Sequence, residues 1–156
     1  MRYYIAYGSN LNVPQMRMRC PGATILGTTK LKGWELIFRG SKTGSYLTLR
    51  EKEDGIVPAA IWAVTSEDEV ELDIYEGYPR FYYKKDIKVR CKGIRTGRYR
   101  TIDAFAYIMH EERPIGIPSQ YYMDVCMIGY DTFYFNKGYL KEAYNRSKQE
   151  VERCLA

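Results

Sequence analysis

Residues 3–11 form the segment Tyr3-Tyr4-Ile5-Ala6-Tyr7-Gly8-Ser9-Asn10-Leu11, an apolar strand that runs into a glycine turn. Asn12, with Pro14 in a first-turn position, predicts a short helix that begins after the turn and ends near Arg19. A glycine between a strand and a helix lets backbone N–H groups converge on a ligand. The segment therefore predicts a site for a carboxylate or an oxyanion, although Gly-Ser-Asn is also common in ordinary turns.

The composition indicates a globular protein of moderate size. The chain has 156 residues, of which 46% are hydrophobic and 28% charged. We expect residues 1–156 to form a single domain with its own core. No segment approaches the roughly 20 apolar residues that a membrane helix needs. The first residues enter a strand without a signal-peptide pattern, which predicts a cytoplasmic protein.

Metal and redox chemistry find little support in the sequence. The chain has four scattered cysteines and one histidine, His110. No two cysteines have the spacing of a zinc knuckle or a redox pair, so we interpret them as buried thiols. We expect no metal site and no cofactor.

Basic side chains are concentrated between Lys84 and Arg100, and the net charge is +5. This raises the possibility of a nucleic-acid-binding module. Exposed strands and a hairpin tip normally carry solvated lysine and arginine, and we favour this interpretation of the basic residues. A mild positive field would also attract a small anionic substrate. We expect a small-molecule partner, no nucleic acid and no membrane, and the oligomeric state is left open.

Strand-like and helix-like segments alternate irregularly along the chain. Asp54-Gly55 is the clearest hairpin signal. Ser66 with Glu69 predicts a capping box for a helix that ends at Glu76, with Gly77 as its left-handed cap. The other predicted strands are 23–29, 31–39, 45–50, 56–64, 81–91 and 99–109, and the later helices are 119–130 and 138–154. The pattern predicts an α+β fold with a mixed or barrel-like sheet.

Glu76 is the candidate general acid–base. The negative end of the helix dipole and a following turn rich in aromatic rings both favour the neutral form of its carboxyl group. A pKa near neutrality suits proton transfer, although a lone acid at a helix end is most often simply solvated. Asp73 lies on the same helical face and is interpreted as a solvated acid. Ser9 lacks the Gly-x-Ser-x-Gly context of a hydrolase nucleophile, and Arg19 is expected to be a surface charge.

The ordered set of motifs resembles the γ-glutamylcyclotransferase-like family. The family's Tyr-Gly-Ser-Asn-Leu pattern is present as residues 7–11, and its Met-x-x-Arg-Cys-Pro-x-Ala pattern as residues 16–23. Its acid followed by glycine is present in residues 73–77. The tyrosine of its aromatic turn aligns with Tyr83, and its late motif matches Pro118, Ser119, Tyr122 and Gly129. The chain departs from many members over residues 131–136.

The resemblance implies a small mixed β-barrel flanked by helices and release of 5-oxoproline from a γ-glutamyl compound. In that chemistry the substrate's α-amine attacks its own γ-carbonyl. By analogy, Glu76 moves the protons, and the residues that bind the substrate come from Tyr7, Gly8, Ser9, Asn10, Leu11, Tyr83 and Tyr122.

Four functions are compatible with these patterns. The first is a cyclotransferase acting on a γ-glutamyl amine, amino acid or peptide, and Glu76 favours it because a binding module needs no proton shuttle. The second is a non-catalytic binding domain on the same fold. The third is a basic nucleic-acid module. The fourth removes a γ-glutamyl protecting group in a biosynthetic pathway, and differs from the first only in the leaving amine.

Overall fold

The computed structural model describes residues 1–41 and 43–156, and its centre is a closed β-barrel. The strands are β1 (Arg2–Ala6), β2 (Thr24–Ser41), β3 (Gly44–Val64), β4 (Tyr82–Gly93) and β5 (Tyr99–Met109). Around the barrel they follow the order β1-β3-β2-β4-β5, and β5 closes it by pairing in parallel with β1. The other neighbouring pairs are antiparallel. The prediction of an α+β fold with a small mixed barrel is confirmed.

The long β2–β3 hairpin replaces the four short strands predicted in this region. Its strands reverse direction between Ser41 and Gly44, so the hairpin predicted at Asp54-Gly55 is wrong. Lys32 pairs with Ile56 and Trp34 with Glu51, which leaves residues 52–55 as a bulge in β3. Asp54 has a φ of 62°. An Asp-Gly pair tolerates positive φ, which a bulge requires as much as a tight turn does. The pair therefore lies in a bulge here instead of a hairpin turn.

Four α-helices flank the barrel within the described ranges. They are α1 (Val13–Arg19), α2 (Ser66–Glu76), α3 (Gln120–Thr132) and α4 (Gly138–Leu155), and a 3-10 helix spans Ser9–Leu11. Asn12 caps α1 at the predicted helix start, and Ser119 caps α3. The middle of α4 is attached to β2, where the Ser147 hydroxyl accepts a hydrogen bond of 3.0 Å from the Phe38 N–H. Within α4, Leu140 is buried and Leu155 is exposed.

The capping box of α2 lies one residue earlier than predicted. Thr65 is the N-cap, and its hydroxyl accepts from the Asp68 N–H at 3.1 Å while the Asp68 carboxylate accepts from the Thr65 N–H at 3.1 Å. Asp68 also accepts from the Gly22 N–H at 3.2 Å, which ties α2 to the segment after α1. Glu69 is used instead in ion pairs with Arg2 and Lys84. The pairs Thr65 with Asp68 and Ser66 with Glu69 both have the spacing of a capping box, so the sequence alone did not distinguish them.

None of the helices in the described part of the chain combines the length and apolar character needed to span a membrane.

Candidate active site

A cavity of about 650 Å³ lies between the turn after β1, the end of α2 and the start of α3. Its size is within the range typical of small-molecule sites. Eight tyrosines line it, and among the described lining residues Glu76 is the only charged side chain. The cavity therefore combines aromatic walls and polar tips with a single carboxyl group.

The turn after β1 forms one wall of this cavity. Gly8, Ser9 and Asn10 all line it, and the Ser9 and Asn10 side chains are buried. A Cβ atom at position 8 would lie 3.3 Å from the Tyr122 hydroxyl, so glycine permits close packing of α3 against the turn. The Leu11 and Asn12 N–H groups bond within the turn, to Gly8 O and Ser9 O at 3.0 Å each. In a 3-10 turn the preceding N–H groups are left for other partners, which can include an anionic ligand.

Glu76 lies half-buried at the last position of α2. Gly77 follows with a φ of 63° and ends the helix in the left-handed conformation, as the sequence predicts. Burial of the carboxyl group raises the pKa of Glu76 to about 8, and the nearby Arg19 charge partly opposes this shift. Removal from water is thus the main cause of the raised pKa, rather than the position at the helix terminus.

The remaining predicted residues divide into two groups. Tyr7 and Tyr122 line the cavity with the turn residues. Leu11 is fully buried in the core and does not reach the cavity. Tyr83 also lies elsewhere: its hydroxyl donates to the Glu111 carboxylate and its ring centroid is 5.1 Å from that of His110. Tyr83 was predicted to bind the substrate, but its side chain does not line the cavity.

Tyr82 takes the position expected of Tyr83. The register pairs Tyr82 with Met109 and Lys84 with Tyr107, so Tyr82 and Tyr107 share one face of the sheet. Tyr83 lies on the opposite face, because neighbouring strand residues alternate. Both Tyr82 and Tyr107 line the cavity. With tyrosine at both 82 and 83, sequence spacing alone could not distinguish them, whereas β4–β5 register would have done so.

Two charged residues interpreted as surface groups belong to the surroundings of the site. Arg19 donates a hydrogen bond to the Asn10 side-chain oxygen, and its guanidinium carbon lies 3.4 Å from the centroid of the Tyr75 ring. Asp73 accepts a hydrogen bond of 2.6 Å from the Tyr107 hydroxyl and pairs with Lys84 at 2.8 Å. Neither is a freely solvated charge, and both fix side chains that line the cavity.

The buried tyrosines keep their protons at neutral pH. Burial, followed by the Glu76 charge, raises the pKa values of Tyr4, Tyr7 and Tyr82 well above the ordinary value. Burial also raises the pKa of Tyr122. These groups are therefore hydrogen-bonding phenols around one titratable carboxyl group.

The divergent segment 131–136 lies away from the cavity. It joins α3 to α4, and the Phe133 and Phe135 rings stack with centroids 5.6 Å apart. None of its residues lines the cavity. The lining comes instead, in part, from Ser41 and Thr43 at the end of the β2–β3 hairpin and from the start of α3, which includes Tyr121.

Solved structures of other proteins share this fold. A structure named gamma-glutamyl cyclotransferase is 22% identical, with a TM-score of 0.78, over 91% of this chain and 85% of that chain. An uncharacterised protein from Homo sapiens is 23% identical, with a TM-score of 0.77 and the same coverage. YkqA from Bacillus subtilis is 18% identical, with a TM-score of 0.74, over 94% of this chain and 54% of that chain. At these identities the likeness concerns the fold.

The sequence pattern of one family matches residues 4–124, and this family is described as gamma-glutamyl cyclotransferase, AIG2-like. No curated protein sequence matches the chain. The family match includes the turn after β1, all of α2 and the start of α3, which are the elements that surround the cavity. Because it covers well over half of the 156 residues, the chain belongs to the gamma-glutamyl cyclotransferase, AIG2-like family.

Proposed function

We propose that this protein releases 5-oxoproline from a γ-glutamyl amine, amino acid or peptide, by attack of the substrate's α-amine on its own γ-carbonyl carbon. The observation that carries the proposal is Glu76, a half-buried carboxyl group with its pKa raised to about 8, in the same cavity as the Gly8–Asn10 turn. Membership of the family supports a reaction of the cyclotransferase type.

The turn and the tyrosines bind the γ-glutamyl portion of the substrate in this proposal. Backbone N–H groups of residues 8–10 hold the substrate's carboxylate, and the rings of Tyr7 and Tyr122 enclose its methylene groups. A bound substrate folded in this way brings its amine next to its γ-carbonyl. Holding the amine against the γ-carbonyl carbon lowers the entropic part of the reaction barrier. The nucleophile is the substrate's own amine, so the protein does not supply one.

Glu76 moves the protons of the reaction. The α-ammonium gives one proton to the Glu76 carboxylate, and the resulting amine forms the new bond to the γ-carbonyl carbon. Glu76 passes this proton to the leaving nitrogen as the old carbon–nitrogen bond breaks. The attacking nitrogen then loses its second proton, which the leaving amine takes up to depart as an ammonium. The products are 5-oxoproline and the free amine, and no water is consumed.

Blocking the α-amine tests the intramolecular attack directly. We expect the protein to release the amine from γ-glutamyl-anilide or a γ-glutamyl amino acid and to leave the corresponding N-acetyl-γ-glutamyl compound intact. The acetylated nitrogen is a poor nucleophile, although the scissile bond is unchanged. Release of the amine from both compounds at similar rates would contradict the proposal and indicate attack by water or by a side chain.

The pH dependence of kcat/KM follows from the raised pKa of Glu76. The general base must be ionised, and below pH 8 a group with a pKa of about 8 is mostly protonated. We expect kcat/KM to rise about tenfold per pH unit on the acid side and to level off near pH 8. The charged or titratable groups near this carboxyl are Arg19 and six tyrosines, which are Tyr4, Tyr7, Tyr75, Tyr82, Tyr107 and Tyr122. An acid limb centred near pH 4.5 would contradict the assignment.

A further inference from the structure

The hydroxyl groups of the cavity tyrosines differ in what their protons bond to. A phenol has one proton to donate, so a hydroxyl that donates to the protein cannot also donate to a ligand. Tyr7 donates to the Tyr107 backbone oxygen at 2.6 Å, and Tyr82 donates to the Leu47 backbone oxygen at 2.9 Å. Tyr107 donates to Asp73 at 2.6 Å. These three protons are already used.

Tyr4 has the opposite arrangement. Its hydroxyl oxygen accepts a hydrogen bond of 2.9 Å from the Asn10 side-chain amide, so its own proton must point elsewhere. Within residues 1–41 and 43–156, no acceptor for the Tyr4 proton is found, although the side chain is only 4% exposed and lines the cavity. A buried donor without a partner costs free energy, which a ligand oxygen would recover.

The other cavity tyrosines do not duplicate this arrangement. Tyr122 accepts from the Leu47 N–H at 3.1 Å, but its side chain is only half-buried, unlike that of Tyr4. Tyr75 shares a hydrogen bond of 3.0 Å with Ser9. Tyr121 is 72% exposed and its hydroxyl is open to water. Tyr4 is therefore the buried cavity phenol whose proton has no acceptor within the described residues.

Arg19 determines which way the Asn10 amide faces. A guanidinium group only donates, so the Asn10 oxygen must point to Arg19 and the amide nitrogen to Tyr4. The Arg19 side chain is itself held by its position over the Tyr75 ring. Asn10 is only 2% exposed, so water cannot substitute for either contact. Arg19 therefore orients Asn10, and Asn10 occupies the acceptor side of the Tyr4 hydroxyl, so that the Tyr4 proton is available to a ligand.

We propose that Tyr4 donates a hydrogen bond to the γ-carbonyl oxygen of the substrate, and that Arg19 is a positioning residue that acts through Asn10; this rests on the proposed cyclotransferase reaction. As the amine attacks, negative charge develops on that oxygen, and a buried donor aimed at it stabilises the transition state. The N–H groups of residues 8–10 hold the other end of the γ-glutamyl group, so the two contacts do not compete. Asn10 is thereby a connecting residue as well as part of the turn.

Replacing the Tyr4 hydroxyl tests the donor role. We expect Tyr4→Phe to lower kcat by about tenfold to a hundredfold with KM changed by less than about threefold, because the contact strengthens mainly in the transition state. Tyr3→Phe is the matched control, since Tyr3 lies on the other face of β1 and its hydroxyl bonds with Arg100 at 3.2 Å. It should retain the wild-type kcat.

A double-mutant cycle tests the positioning role. We expect Arg19→Ala to lower kcat by about threefold to tenfold in the wild-type background and by less than about twofold in Tyr4→Phe, because the path through Tyr4 is then absent. Each kcat is measured on the alkaline plateau of that variant's own pH profile, where the effect of the Arg19 charge on the ionisation of Glu76 no longer contributes. Arg17→Ala, an exposed change on the same helix, is the control. A merely structural role would instead give the same factor in both backgrounds, and would overturn the assignment of Arg19.

The outcomes separate this inference from the proposed function. An active wild type together with a folded Tyr4→Phe of unchanged kcat overturns the donor role alone. A wild type that releases no 5-oxoproline from any γ-glutamyl compound overturns both. Should Tyr4→Phe fail to fold, 3-fluorotyrosine at position 4, a stronger donor of nearly the same shape, must alter kcat while the same residue at position 3 does not. An unchanged kcat at position 4 would again overturn the donor role.

Discussion

Glu76→Gln is expected to lower kcat/KM for 5-oxoproline release by at least about a thousandfold, which is the largest effect of any single substitution proposed here. Glutamine has nearly the same size and can still hydrogen-bond, but it cannot accept a proton from the α-ammonium or give one to the leaving amine. The measurement is steady-state release of 5-oxoproline at pH 8, with the γ-glutamyl compound that the wild type uses best.

The same substitution is expected to stabilise the protein. The pKa of Glu76 is raised from 4.5 to about 8 on folding, so the folded state holds this proton more tightly. Stability from this group is complete below pH 4.5 and is lost as the pH rises through 8. At pH 9 Glu76→Gln should therefore have a higher Tm than the wild type, by about 2–4 °C for each kcal/mol recovered.

Glu71→Gln is the matched control, because Glu71 is an exposed acid on the same helix. It should change neither kcat/KM nor the pH dependence of Tm. A folded Glu76→Gln protein that keeps more than about a tenth of the wild-type activity would contradict the assignment of Glu76 as the proton shuttle. A Tm below that of the wild type at pH 9 would contradict the account of its burial.

Gly129→Ala is expected to destabilise the protein and to displace the turn of the cavity wall. A Cβ atom at position 129 would lie 2.6 Å from the Leu11 carbonyl carbon and 2.8 Å from the Leu11 oxygen. Real Cβ atoms do not approach backbone so closely, so α3 or the Ser9–Leu11 turn must move. Overpacking of this kind costs about 1–3 kcal/mol, which corresponds to a loss of several degrees in Tm.

The direction of this effect is diagnostic. In an open helix, alanine in place of glycine stabilises by about 1 kcal/mol. A lower Tm therefore requires the clash with Leu11 to exceed this gain, and 5-oxoproline release should fall with it as the turn shifts. Ile128→Ala is the control, because Ile128 is 53% exposed on the same helix. A Gly129→Ala protein with a raised Tm and full activity would show that α3 does not fix the turn.

Local signals predicted much of the fold correctly. The strands at β4 and β5, the helix start at Asn12 and the left-handed Gly77 all reflect chemistry within a few residues of each position. The errors arose where one local signal fits two structures. Asp54-Gly55 suits a bulge as well as a hairpin, and the choice depended on pairing with Trp34, which is distant in sequence. The N-cap of α2 is Thr65 and not Ser66, because the Asp68 carboxylate accepts hydrogen bonds both from the Thr65 N–H and from the distant Gly22 N–H.

The same reasoning applies to the candidate site. Glu76 and the Gly8–Asn10 turn lie in contiguous motifs, and the structure brings them into one cavity. Tyr82 was missed in favour of Tyr83 because strand register, not spacing, determines which ring faces the cavity. Arg19 was interpreted as a surface charge because nothing in its own helix reveals the contacts with Asn10 and Tyr75. Contacts between distant segments were thus the part that the sequence left undetermined.

Product analysis with one γ-glutamyl amine and the wild-type protein is the most direct test of the central claim, which is intramolecular attack. The proposal predicts that 5-oxoproline and the free amine appear in equal amounts and that no glutamate forms. Glutamate in place of 5-oxoproline would mean that water attacks the γ-carbonyl, and the protein would be a hydrolase. A folded protein that forms neither product from any γ-glutamyl amine, amino acid or peptide would contradict the proposed function itself.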